Sequence, residues 1–176
     1  MGSLFFSTIE VTRQAFYRTS LSYAIVNLKP IVPGHVLVIP TRPAARLADL
    51  DASELSSLMI SVQKVGKVIE RVYGADSLTI ACQDGKAAGQ SVPHVHFHLL
   101  PRKLQADRFQ SHNDEVYPEI ERSEASLPRD LQSAKEGAMT AESAPIKMDA
   151  DEDRKPRTME EMAKEAEWLK TFFEQT

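Results

Sequence analysis

The stretch Pro93-His94-Val95-His96-Phe97-His98-Leu99-Leu100-Pro101 holds three of the chain's five histidines, each followed by an apolar residue. A two-residue period belongs to a strand, whose successive side chains point to opposite faces. On a strand His94, His96 and His98 share one face, and Val95, Phe97 and Leu99 share the other. In a helix, residues two apart turn by about 200° and share no face. The β-branched and aromatic residues between the histidines, and the prolines at either end, favour the strand. The pattern therefore predicts an apolar core-facing side and a row of imidazoles facing something polar. A rise of about 3.3 Å per residue sets His94 and His98 about 13 Å apart. Zinc–nitrogen bonds are about 2.0–2.1 Å long, so one ion cannot take all three. Two neighbours could share an ion with a ligand from elsewhere, although no Cys or His pair at ligand spacing accompanies them. A solvated row with no chemistry is the second alternative. The third is a cleft in which one imidazole attacks while its neighbours supply protons or hydrogen bonds.

The surrounding chain reads as a scaffold for that strand. Residues 21–27 predict a strand closed by Asn27, a polar strand end of the kind turns use. Pro33-Gly34-His35 predicts a turn. The unbroken apolar run Val36-Leu37-Val38-Ile39 predicts a strand buried on both faces, hence a central one. His35, at the lip of that strand, suits a structural hydrogen bond better than direct chemistry, and Arg42 and Arg46 read as solvated surface charges. Leu55, Leu58, Met59, Val62, Val65, Ile69 and Val72 form one helical stripe over residues 51–73, with no polar group expected on its buried side. Asp51 with Glu54 fits the cap of that helix, and Gly74 its end. Residues 77–83 predict a further strand, with Cys82 as core filling. The loop 84–91 carries two glycines and leads into the histidines, where backbone N–H groups can approach an anion.

The 176 residues are 42% hydrophobic and 26% charged, as in an ordinary globular domain with a real core. A net charge of −4 gives no field for a nucleic-acid backbone, so no nucleic-acid partner is expected. One cysteine allows no intrachain disulfide and suits a reducing compartment. No signal-peptide pattern and no membrane-length apolar stretch is expected. The domain boundaries read as a catalytic unit over 1–103, a mobile and partly disordered loop over 104–157, and a C-terminal helix over 158–176. The loop is rich in Glu, Asp, Ser, Ala and Lys. The helix starts at a Thr158–Glu161 capping box and carries Met162, Ala166, Leu169 and Phe173 on one face. It docks on its own domain or on a partner subunit. His112 reads as a solvated loop residue, and Trp168 as packing.

Pro33-Gly34-His35-Val36-Leu37-Val38, Gln83-Asp84-Gly85 and His94-Val95-His96-Phe97-His98-Leu99-Leu100 together resemble the histidine triad superfamily. Its signature is His-φ-His-φ-His-φ-φ, with φ apolar. Gly89-Gln90-Ser91-Val92, Pro101-Arg102-Lys103 and the terminal helix are similar to the fragile histidine triad branch. The resemblance implies an α+β fold, with a five-stranded, mainly antiparallel sheet against a long helix, and a homodimer that forms a ten-stranded sheet. It implies hydrolysis of dinucleoside polyphosphates, preferentially diadenosine triphosphate, to AMP and ADP. By that resemblance His96 is the nucleophile and forms a covalent AMP–histidine intermediate, while His98 and Gln83 stabilise the leaving oxygen. Gly89, Gln90, Ser91 and Val92 contact phosphate, Asn27 takes the ribose, and His35 and His94 orient the others. Manganese or magnesium is expected on the substrate phosphates, with no protein-held metal. The cytoplasm is the expected compartment, with the nucleus a second. Thr8 stands where some relatives carry a nucleotide-contacting histidine, and Tyr117 lies where some carry a phosphorylated tyrosine. A nucleoside phosphoramidase of the sister branch is the alternative enzyme. A nucleotide-binding signalling module, whose output is the bound complex, is the alternative outside enzymes.

Overall fold

The computed structural model describes residues 2–137 and 156–173. Two short strands, β1 (Phe5–Phe6) and β2 (Ile9–Glu10), form an N-terminal hairpin. The main sheet contains β3 (Ala15–Arg18), β4 (Ser22–Val26), β5 (Val36–Pro40), β6 (Ser77–Ala81) and β7 (Phe97–Arg102). Its order is β3-β4-β5-β7-β6, and every neighbouring pair is antiparallel. The fold is α+β, as the histidine triad pattern implies. The uninterrupted apolar strand β5 is the middle strand and is buried along its whole length.

Helix α1 (Ala52–Val72) crosses one face of the sheet over β4, β5 and β7. Asp51 caps it by accepting from the Ser53 and Glu54 N–H groups, while Glu54 accepts from the Asp51 N–H. The buried stripe is narrower than the sequence pattern: Leu58, Val62, Val65 and Ile69 are in the core, but Leu55 and Met59 face outward. Two small residues explain the difference. A Cβ at Gly66 would lie 2.8 Å from Leu78 Cδ1, so the helix rests almost directly on the sheet there. At Ser61 the buried hydroxyl lies 2.7 Å from Ser22 Oγ, within a hydroxyl cluster completed by Thr19 and Ser57. The buried side of α1 therefore does carry polar groups, contrary to expectation, and they satisfy one another.

Arg42 and Arg46 are likewise not free surface charges. Arg42 makes a two-pronged bond to Glu54 at 2.6 and 2.7 Å, and Arg46 pairs with Asp84 at 3.1 and 3.2 Å. Each arginine fastens the loop after β5 to a neighbouring element.

Residues 104–137, expected as a mobile loop, contain two helices: α2 (Val116–Ala125) and α3 (Leu127–Gly137). Val116 and Ile120 bury against Ile31, Val32, Leu100 and Phe109, while Leu127 and Leu131 reach the main core. The rest of that stretch, residues 138–155, lies outside the described residues. Helix α4 (Met159–Lys170) starts at the Thr158–Glu161 capping box and buries Met162, Ala166 and Leu169 against β3 and β4. Trp168 is half exposed and stands edge-on to Tyr73 and Phe172. Among the described residues, no helix is long and apolar enough to cross a membrane.

Candidate active site

The histidine row is only partly strand. His98 lies in β7 opposite Leu37, whereas His94 and His96 precede it in an irregular approach. That approach bends at Pro93, where the His94 N–H donates back to the Val92 carbonyl at 2.8 Å, and the Val95 N–H is taken by Ala44. All three imidazoles are buried rather than lining an open cleft.

Backbone donors fix where the ring protons sit. The Ser7 N–H donates to His94 Nδ1 at 3.0 Å, so His94 carries its proton on Nε2 and gives it to the Pro40 carbonyl at 2.8 Å. Ser7 turns the β1–β2 hairpin at φ 55°, and this turn aims its N–H. Burial pushes the His94 pKa down to about 4. The Ile31 N–H donates to His35 Nδ1 at 3.2 Å, which leaves a proton on His35 Nε2 to donate to His98 Nδ1 at 2.9 Å. His98 is thereby the tautomer with its proton on Nε2. Burial lowers the pKa of both rings and keeps them neutral. The Asn27 amide nitrogen lies 3.1 and 3.3 Å from the two His35 ring nitrogens, and Asn27 Oδ1 accepts from the Lys29 N–H.

His96 is different. Its Nδ1 donates to the His94 carbonyl at 2.7 Å, and its Nε2 donates to Glu124 Oε1 at 2.9 Å. Beside an ionised Glu124 both acceptors lack hydrogens, and the ring then carries both protons as an imidazolium. Burial opposes that charge, but the hydrogen bond and charge of Glu124 outweigh it and raise the His96 pKa. The Glu124 carboxyl is buried too, and the paired imidazolium holds it well below the usual carboxylate range. Ser91 Oγ lies 2.8 Å from Glu124 Oε2 and 2.7 Å from its carbonyl. His98 Nε2 lies 3.3 Å from Glu124 Oε1, but off the hydrogen-bond direction, and has no other partner among the described residues.

The glycine loop brings the remaining residues alongside. Gly85 and Gly89 take φ of +108° and +87°, and a Cβ at Gly89 would lie 2.6 Å from Gln83 Nε2. Glycine at 89 thus lets the Gln83 amide lie against the backbone, with its buried Oε1 unpartnered among the described residues. Gln90 is a staple of this loop: its Oε1 accepts from the Gly85 N–H and its Nε2 donates to the Ala45 carbonyl. Val92 is buried in the main core. Cys82 is half-buried, with its thiol pushed up to about 11 by burial. Thr8 and Tyr117 are exposed, and so is His112.

The sequence pattern missed three contributors: the β1–β2 hairpin, whose Phe6 stands edge-on to His96 at 5.0 Å; Arg157, which donates to the Asn27 carbonyl; and Glu124. Glu124 did have a signal. Val116, Ile120, Leu127 and Leu131 form a helical stripe, and Glu124 falls on it four residues after Ile120, a charge at a core position.

Among the described residues one grouping could offer a metal three ligands, His96, His98 and Glu124, with atoms within 4.8 Å of one another. A metal there would have to displace the hydrogens on His96 Nε2 and His98 Nε2 and break the His96–Glu124 contact.

The HIT domain model matches residues 8–105. The chain is 53% identical to the bis(5'-nucleosyl)-tetraphosphatase [asymmetrical] of Schizosaccharomyces pombe over 97% of this chain and 94% of that one. It is 44% identical to the bifunctional bis(5'-adenosyl)-triphosphatase/adenylylsulfatase FHIT of Arabidopsis thaliana, over 92% of this chain and 79% of that one. The crystal structure of Plasmodium falciparum diadenosine triphosphate hydrolase in complex with cyclomarin A superposes with a TM-score of 0.69 at 24% identity, covering all of this chain and 87% of that one, and so shares the fold.

Proposed function

The chain belongs to the histidine triad (HIT) family, and from that premise we propose that it hydrolyses dinucleoside polyphosphates, diadenosine triphosphate first, to AMP and ADP through an AMP–His96 intermediate. The observation that carries this reading is the 2.7 Å bond from His96 Nδ1 to the His94 carbonyl. It keeps one proton on Nδ1, so once Nε2 passes its own proton to Glu124 Oε1, its hydrogen-bond partner, the free lone pair sits on Nε2, beside Ser91 and His98.

In that reading Nε2 attacks the α-phosphorus, the N–P bond forms, and the bond to the bridging oxygen breaks with its electron pair on ADP. The imidazolium carrying the adenylate is stabilised by the His94 carbonyl. The orphaned Nε2–H of His98 supplies a hydrogen bond to an equatorial or leaving oxygen, supported by the Gln83 amide. Water then attacks phosphorus, the electron pair of the N–P bond returns to Nε2, and AMP leaves. The Ile31–His35–His98 chain of hydrogen bonds holds the donor in the required tautomer. Asn27, next to that chain at the end of β4, takes the ribose. Ser91 contacts phosphate, whereas the bonds of Gln90 favour a part in shaping the loop.

Manganese or magnesium enters on the substrate, where it neutralises phosphate charge. The His96–Glu124 contact, which a protein-held cation at this grouping would have to break, favours this. Tight stoichiometric binding of either ion by the substrate-free protein would contradict it. A homodimer is supported by β6, the last strand of the sheet, where Ile80 is 48% exposed. The single cysteine supports a reducing compartment, cytoplasm or nucleus.

The test compares turnover of diadenosine triphosphate, diadenosine tetraphosphate and an AMP–lysine conjugate by the wild type and by His96→Asn. The tetraphosphate belongs in that set because it matches the name of the Schizosaccharomyces pombe relative. Fastest turnover of the triphosphate, abolished in the variant, is expected. Comparable turnover of the lysine conjugate would favour the phosphoramidase instead. Nucleotide binding with no turnover of any of the three would favour a signalling module.

A further inference from the structure

The residues proposed to meet the substrate's phosphate already hold an anion, and it belongs to the chain itself. His96 Nε2 donates to one Glu124 oxygen at 2.9 Å, the Ser91 hydroxyl reaches the other at 2.8 Å, and His98 Nε2 stands 3.3 Å away. We infer that the Glu124 carboxylate is an internal competitor for the phosphoryl position, and that α2 and α3 form a cap that must lift before substrate can react. The inference rests on the proposed nucleotide site and adds a residue that controls access to it.

Two physical facts exclude a simple supporting role for Glu124. A phosphoryl group within bonding distance of His96 Nε2 and a carboxylate 2.9 Å from the same atom cannot share the space, and their charges repel. The contact also keeps a proton on Nε2, so the capped enzyme has no lone pair for attack. Glu124 thus blocks the site both by occupancy and by protonating the nucleophile.

The cap is fastened at points outside the reacting centre. Lys29 Nζ pairs with Asp130 of α3 and donates to Ser126 Oγ at 3.1 Å, while Ser123 Oγ donates to the Lys29 carbonyl at 3.4 Å. These contacts join the cap to the segment just after Asn27. Opening breaks this clasp and the Glu124 contacts and also uncovers Val116, Ile120, Leu127 and Leu131; an anionic substrate regains the Glu124 contacts with its own phosphate. A ligand that binds only the open form has its apparent affinity reduced by the fraction of molecules that are open.

Binding of AMP by calorimetry and hydrolysis of diadenosine triphosphate test this in the full chain. Glu124→Ala and Glu124→Gln are expected to tighten AMP binding about tenfold or more. Both should lower KM by a similar factor, with kcat equal to or above wild type. Asp130→Asn, which leaves Glu124 in place and weakens only the clasp, is expected to shift KM the same way by a few-fold. In the wild type, saturating AMP should speed amide hydrogen exchange across residues 116–131. Unchanged or weakened AMP binding in both Glu124 variants, or slower exchange in the cap on adding AMP, overturns the inference. Wild-type turnover with that negative result leaves the proposed function standing. AMP binding to none of these forms, with no turnover of diadenosine triphosphate, overturns both.

Discussion

Gly34→Ala tests how the turn before β5 holds His35 in place. Gly34 has a φ of +81°, and a Cβ built there would lie 2.6 Å from Tyr73 Cδ2 and 2.8 Å from Cε2 and Cγ. The left-handed conformation costs an alanine about 1–2 kcal/mol. The clash adds about 1–3 kcal/mol, as in other overpacked sites. It cannot be relieved cheaply, because the Tyr73 hydroxyl donates to Glu165 at 2.6 Å and its ring stands against Trp168. Against these, alanine restricts the unfolded chain by about 0.4–1 kcal/mol. The net loss is about 1–5 kcal/mol, a fall in Tm of about 2–20 °C for a chain of this length. Gly74→Ala is the matched control: its φ is +59°, but no atom of the described residues lies within 4 Å of the added Cβ. Thermal unfolding by circular dichroism should show Gly34→Ala clearly below Gly74→Ala, by the steric part alone. Equal melting temperatures would refute the reasoning, since they would mean the Tyr73 ring yields freely.

Two further predictions concern titration and reactivity. His94 is held neutral, with its pKa lowered from 6.5 to about 4, so the unfolded chain binds its proton first. Its contribution is full above pH 6.5 and is lost as pH falls through 4, on the order of 3 kcal/mol; a His94 resonance titrating near 6.5 would contradict it. Cys82, pushed up to about 11, should react with a disulfide reagent at pH 8 about a hundredfold more slowly than an unfolded thiol, and reaction at the unfolded rate would contradict its burial.

Much of the scaffold was legible because single residues carry it. The apolar run at residues 36–39 marks the middle strand, and Asp51–Glu54 and Thr158–Glu161 mark two helix starts. The stripe on α1 was read too broadly, since periodicity shows which residues share a face but not how closely the helix approaches the sheet. Gly66 and Ser61 decide that approach. The histidine row was legible as chemistry but not as geometry: alternation implies one strand face, and Pro93 breaks the strand before His98. Glu124 was hidden because a segment rich in acidic residues conceals a carboxylate that lies on an apolar stripe. Its partners, Ser91, His96 and His98, lie about thirty residues earlier in the chain, a pairing that local pattern cannot express.

The most direct measurement is a rapid quench with diadenosine triphosphate labelled at the α-phosphorus, followed by digestion and mass mapping. The account predicts adenylate on the imidazole of residue 96 and none in His96→Asn. Label on another residue, or turnover with no protein-bound adenylate at any time, would contradict it.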